Sequence, residues 1–121
     1  MKEIHCDGGI NTQSFFNPKS PKGQAVAKVN FSKDKRIMLY LESNDNTNQE
    51  AEVFSLFLAL TEAIKNNIKV IYTDSQWLVG AVTYYKLKEP RLKLACLILR
   101  SLIKHYQIEV KWIEREKNWA T

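Results

Sequence analysis

The residue order predicts an α/β domain whose five-stranded mixed sheet has three antiparallel strands, then two parallel ones, flanked by helices in the order βββαβααβ. Three observations carry that expectation. Apolar residues recur at alternate positions in three early runs, as half-buried strands require. Thr47 and Glu50 stand at the spacing of a capping box and open a long apolar helix. A short β-rich run then follows, and a right-handed crossover lays it parallel to the first strand.

The first strand is Ile4 to Cys6, stopped by Asp7-Gly8-Gly9, where glycine frees the backbone for a sharp turn. Asp7 is therefore expected at a strand's carboxyl end. Ile10 to Lys22 reads as a loop, because Asn11, Asn17, Pro18 and Pro21 are turn formers. Ala25, Ala27, Val29 and Phe31 make a second strand, and a tight polar connection over Ser32 to Lys35 leads into a third, Arg36 to Glu42. After a polar linker, Ser43 to Asn46, the capped helix carries Val53, Phe54, Leu56, Phe57, Leu60, Ala63 and Ile64. They cover more than half its circumference, so it should be buried between a sheet and another helix. It ends near Asn66-Asn67. Ile68 to Thr73 reads as a strand in mid-sheet, and Asp74 follows it directly. Ser75 to Tyr85 looks helical. Beyond Pro90, Leu92, Ala95, Cys96, Leu99, Leu102, Ile103 and Tyr106 recur at three and four, as an amphipathic helix requires. Ile108 to Ile113 closes the order as a fifth strand.

At 121 residues, with 45 % apolar and 26 % charged side chains, the chain has the size and composition of one compact domain. Its 18 Lys plus Arg against 13 Asp plus Glu give a net charge of +5, which favours a polyanionic partner, nucleic acid first. Cys6 and Cys96 are the only cysteines, so neither a disulfide framework nor a cysteine-based zinc site is readable, and a reducing cytoplasmic setting fits. No signal-peptide run and no apolar stretch of membrane length is present, so no membrane partner is expected. No required protein partner is readable either.

The crossover should bring Asp7 and Asp74 to the same end of the sheet. Two ionised carboxylates side by side repel, so the site must either raise a pKa or hold a cation. Glu52, in the first turns of the long helix, faces the sheet if Leu56, Phe57 and Leu60 do. It can then complete an all-oxygen set of the kind Mg²⁺ prefers. No cap explains it, unlike Glu50, whose capping-box position makes it structural.

Four stretches in this order, with strands and helices between them, are specific as a set. They are Cys6-Asp7-Gly8-Gly9, then Thr47-Asn48-Gln49-Glu50-Ala51-Glu52, then Tyr72-Thr73-Asp74-Ser75-Gln76-Trp77, and Val110-Lys111-Trp112-Ile113 with Arg115-Glu116-Lys117-Asn118. The chain resembles the type 1 ribonuclease H family, in a compact form without the basic handle or the N-terminal hybrid-binding domain. The resemblance implies a ribonuclease H-like fold and an endoribonuclease acting on the RNA strand of RNA/DNA hybrids. It implies two divalent ions, Mg²⁺ or Mn²⁺, held by the catalytic residues Asp7, Glu52 and Asp74. Such ions stabilise both the attacking water and the leaving oxygen of an in-line displacement, and 5′-phosphate and 3′-hydroxyl ends result. Carried over motif by motif, Gly8, Gly9, Thr47, Asn48, Gln49, Ser75, Gln76 and Asn118 would meet substrate. Asn48, Gln49 and Gln76 would lie in the minor groove, where 2′-hydroxyls mark the RNA strand.

Two departures from the family pattern stand out. The family places a fourth carboxylate four, sometimes three, residues beyond the Asn of its last motif, here Asn118; position 121 is Thr. The expectation is a single domain over residues 1–121 lacking its last helix, with Trp119-Ala120-Thr121 ending as if in mid-helix. The alternative is a catalytically impaired module that binds hybrid or double-stranded nucleic acid. The second departure is the short segment between the second and third helices, where only Tyr84, Tyr85, Lys86, Lys88, Arg91 and Lys93 stand in place of the handle.

Simpler readings accompany the sharper ones. Asp7 alone would pass for a turn residue, and Asp74 or Ser75 for a helix N-cap. Cys6 reads as a buried strand residue with His5 on the opposite face, His105 as a partner of the helix dipole, and Trp77, Trp112 and Trp119 as packing residues. Nucleotide binding on a doubly wound sheet is disfavoured, since Asp7-Gly8-Gly9 opens no helix.

Overall fold

The computed structural model describes residues 3–10, 23–43, 46–85 and 87–121. Residues 11–22 of the loop expected from Ile10 to Lys22, part of the linker before the long helix, and Lys86 of the basic cluster lie outside the described residues. The strands are β1 (Ile4–Ile10), β2 (Ala25–Asn30), β3 (Arg36–Tyr40), β4 (Val70–Thr73) and β5 (Glu109–Trp112). They form one sheet in the order β3-β2-β1-β4-β5. The β3-β2-β1 part is antiparallel, and β4 and β5 run parallel to β1. The fold class is thus the mixed α/β sheet that the sequence predicts.

The helices are α1 (Asn48–Asn66), α2 (Gln76–Thr83) and α3 (Lys93–His105), with a 3-10 turn over Pro90–Leu92 before α3. Thr47 caps α1 by the expected reciprocal pair: its hydroxyl accepts from the Glu50 N–H, and its own N–H donates to the Glu50 carboxylate at 2.8 Å. At the other end Asn67 takes the left-handed conformation, and the Ile68 N–H bonds back to the Ala63 carbonyl. That cap delays β4 to Val70, so Ile68 belongs to the core beneath the sheet rather than to the strand. Helix α1 lies against β1 and β2, α2 against β4 and β5, and α3 packs on both helices. Ile4, Leu56, Leu60, Ile68, Ile71, Leu78 and Leu99 fill the space between as fully buried side chains. No helix among the described residues is long and apolar enough to cross a membrane.

One expectation is corrected here. Strand β1 does not stop at Cys6; it continues through Asp7, Gly8 and Gly9 to Ile10, paired with β2 throughout. Gly8 serves close approach rather than a turn. A Cβ on it would overlap the Ala51 carbonyl and sit 2.7 Å from the Glu52 backbone nitrogen, so α1 can press on the strand only because that side chain is missing.

The segment after β5 also differs from expectation. Arg115–Lys117 form a 3-10 turn, and the following residues dock across β1 rather than running on as helix. The Asn118 amide donates to the Cys6 carbonyl at 3.1 Å and accepts from the Ala120 N–H at 3.0 Å. Trp119 stacks on His5 with ring centroids 3.8 Å apart and planes 7° from parallel. The Trp119 N–H donates to His5 Nδ1, and Arg36 donates to the Trp119 carbonyl. Since Nδ1 accepts, the remaining proton of a neutral His5 is on Nε2, 2.7 Å from the Glu3 carboxylate, which fixes the tautomer.

Candidate metal centre

Side chains alternate along β1: Ile4 and Cys6 face the helices, while His5 and Asp7 face the other way. The parallel ladder pairs Cys6 with Thr73, so Asp7 and Asp74 are each the next residue on and leave the sheet side by side on its open face. Ser75, not Asp74, caps α2 by accepting from the Leu78 N–H. The Asp74 carboxylate is spared for other work. Glu52 sits on the first turn and a half of α1, where Gly8 admits the helix, and the Gly8 backbone eases the charge on its carboxylate.

One oxygen from each of Asp7, Glu52 and Asp74 lies within 4.8 Å of the other two. They line a cavity of about 420 Å³ together with Gly8, Gly9, Lys28, Asn48 and Arg115. Such crowding is unfavourable to charge. Burial first, then the Asp74 carboxylate, raises Asp7 to about 6 against the pull of Lys28 and Arg115. Burial first, then Asp7 and Asp74, raises Glu52 to about 8. Glu52 Oε2 is buried with no hydrogen-bond partner among the described residues, which is costly for a carboxylate oxygen. Three converging carboxylates, an orphaned oxygen and no sulfur or imidazole donor fit a hard divalent cation such as Mg²⁺ or Mn²⁺.

Other residues named from the sequence fall at varied places. Asn48 lines the cavity, while Gln49 lies in a neighbouring groove with Trp77, Leu87, Lys88 and Glu89. Thr47 and Ser75 cap helices with their hydroxyls. A Cβ added at Gly9 would have room, meeting only Val26 at 3.7 Å; Gln76 is exposed. Asn118 is placed differently from the expectation that it meets substrate: it is 6 % exposed, and its amide is engaged by the backbone on both sides. Thr121 Oγ1 stands 3.3 Å from Asp74 Oδ2 and from the Arg115 carbonyl.

Lys28 and Arg115 escaped the sequence reading of the site. Lys28 is the cross-strand partner of Asp7 in the β1–β2 ladder, and its Nζ is 3.7 Å from Asp7 Oδ2. The signal existed in the alternation of β2, but reading it needs the register. Cys6, beneath the site, is inert: burial, ahead of all other causes, drives its thiol far above the usual range.

Comparison with known proteins adds to this geometry. A family model for RNase H matches residues 1–118. Among solved structures, LC11-RNase H1 in complex with an RNA/DNA hybrid is 23 % identical with a TM-score of 0.71, over 96 % of this chain and 87 % of that one. RNase H1 from the halophilic archaeon Halobacterium salinarum is 20 % identical with a TM-score of 0.70, over 98 % of this chain and 89 % of that one. The N-terminal RNase H domain of rv2228c from Mycobacterium tuberculosis is 18 % identical with a TM-score of 0.69, over 98 % and 86 %. No curated protein matches the sequence.

Proposed function

The chain belongs to the RNase H family, and from that premise we propose that it hydrolyses the RNA strand of RNA/DNA hybrids with two divalent cations held by Asp7, Glu52 and Asp74. The observation that carries the reading is the convergence of three carboxylate oxygens within 4.8 Å on a chain of this family. Bound there, such cations supply Lewis acidity toward the attacking water and the leaving oxygen of a phosphodiester, with Mg²⁺ or Mn²⁺ the class that the donor set suits.

The chain's own residues do the rest. Asp7 and Asp74 hold their carboxylates on the open face by strand register, and Glu52 brings a third from the helix side. Burial and mutual repulsion raise Glu52 to about 8 and Asp7 to about 6, so cation uptake at neutral pH releases a proton chiefly from Glu52. Asn48 at the cavity rim, with Gln49 and Gln76 beyond it, offers amides to the minor groove, where 2′-hydroxyls distinguish the RNA strand. Gly9 keeps a side chain out of the path of the sugar-phosphate backbone, while Gly8 admits the helix that carries Glu52. The net charge of +5 favours the approach of a polyanion. We read residues 1–121 as one ribonuclease H-like domain.

A gel assay on hybrid labelled in its RNA strand tests this. Cleavage with millimolar Mg²⁺ or Mn²⁺, abolished by chelation and by Asp7→Asn, is expected, with 5′-phosphate ends shown by phosphatase sensitivity. Intact hybrid at every metal concentration refutes it. A second reading has one observation in its favour: the side chain beside Asp74 at position 121, one of the two places where the resemblance puts a fourth acid, is a neutral threonine. Hybrid bound by a mobility-shift assay but never cut would establish a binding module instead.

A further inference from the structure

The carboxylate cluster has cations of its own, Lys28 and Arg115, and of the two it is Lys28 that forms an ion pair with Asp7 among the described residues. Lys28 is held opposite Asp7 by the β1–β2 ladder, with its Nζ 3.7 Å from Asp7 Oδ2 and its side chain only 23 % exposed. It lines the same cavity as Asp7, Glu52 and Asp74. Its neighbours on β2, Ala27 and Val29, are buried in the core, so the strand cannot rotate the lysine elsewhere without exposing them.

We propose that Lys28 is a displaceable internal counter-ion, which pairs with Asp7 while no divalent cation is bound and competes with that cation for the Asp7 carboxylate. This rests on the metal-centre reading above. Mg²⁺ takes its oxygens at about 2.0–2.1 Å, so a divalent ion on Asp7 and an ammonium at its present distance would be like charges within a few ångströms. One must yield. The lysine can, because its four-carbon stem is flexible and the cavity it lines is open. The orphaned Glu52 oxygen shows that Lys28 does not satisfy the whole cluster. It occupies the Asp7 edge and leaves the Glu52 side to the incoming ion. The affinity of the site for divalent metal is thereby set lower than its three carboxylates alone would give.

The test is direct Mn²⁺ binding to the full chain, followed by electron paramagnetic resonance of the free ion, with no substrate present. Lys28→Met and Lys28→Gln should each bind Mn²⁺ roughly three- to tenfold more tightly at low salt, somewhat beyond what an exposed ion pair is worth. The gap should narrow as salt screens the partly exposed pair. Lys28→Arg, which keeps the charge, should bind like wild type. Lys104→Met, on the last turn of α3 at the opposite end of the sheet, should also bind like wild type. Equal or weaker binding by the Met and Gln variants overturns the counter-ion role, as does equal tightening by Lys104→Met, which would mark a diffuse charge effect. Absence of Mn²⁺ binding by wild type, or unchanged binding by Asp7→Asn, brings down the metal centre itself and the role of Lys28 with it.

Discussion

Glu52→Gln should make the metal-free protein more stable, by an amount that grows as pH rises from about 4.5 to about 8. The substitution keeps the shape of the side chain and removes its charge. In the folded chain Glu52 titrates at about 8, against 4.5 for the free side chain. Between those values the folded state holds a proton that the unfolded state has released. The stability this group contributes is therefore fully present below pH about 4.5 and is lost as pH rises through about 8. At about 1.4 kcal/mol per pH unit the whole interval would amount to about 5 kcal/mol. The cavity is open to solvent on one side and three carboxylates share the strain, so about 2 kcal/mol is the expected gain at pH 9. At pH 5, where the folded Glu52 is already neutral, the two proteins should agree within about 0.5 kcal/mol. Urea unfolding followed by tryptophan fluorescence, with chelator present, reads both values; in thermal melts the pH 9 gain corresponds to about 6–10 °C. Added Mg²⁺ should then stabilise wild type more than the variant. Equal differences at the two pH values, or a less stable variant at pH 9, would refute the reasoning that Glu52 is held in a protonated, desolvated state.

Three other outcomes follow from the same structure. Gly8→Ala should destabilise by about 2–3 kcal/mol in the same urea assay, because the new methyl meets the α1 backbone and neither element can yield cheaply. Trp119→Ala should cost about 2 kcal/mol through loss of the stack on His5, and hydrogen exchange should show faster opening of β1 amides. Mg²⁺ affinity measured by calorimetry should rise between pH 6 and pH 8, up to about tenfold per unit as bound protons are displaced from Glu52, with proton release visible as a dependence on buffer ionisation enthalpy.

Most of the architecture could be read from local patterns, since period-two runs and the Thr47–Glu50 box each report their own element without help from the rest of the chain. The three carboxylates were legible for a similar reason: a strand end, a helix residue without a capping duty, and another strand end. What escaped the sequence depends on contacts between distant segments. Gly8-Gly9 carries the local signature of a turn, yet β1 runs through it, because the absent side chain serves the approach of α1. The start of β4 moved from Ile68 to Val70 because the left-handed Asn67 draws Ile68 back onto Ala63. Lys28 became part of the site only through the pairing of β2 with β1. Asn118 carries a motif asparagine, but its partner is the Cys6 carbonyl, 112 positions away.

The pairing of Cys6 with Thr73 also guards against faulty assembly. Were β4 to slide by a single position along β1, every side chain on it would exchange faces, and Asp74 would be driven toward the helix-facing core as a lone anion in hydrocarbon, while Thr73 surfaced in its place. Such a misaligned intermediate is penalised at once by several kcal/mol of desolvation. Whatever geometry the carboxylates need for their chemistry is in this way proofread by the hydrophobic interior during folding, before any cation or nucleic acid arrives.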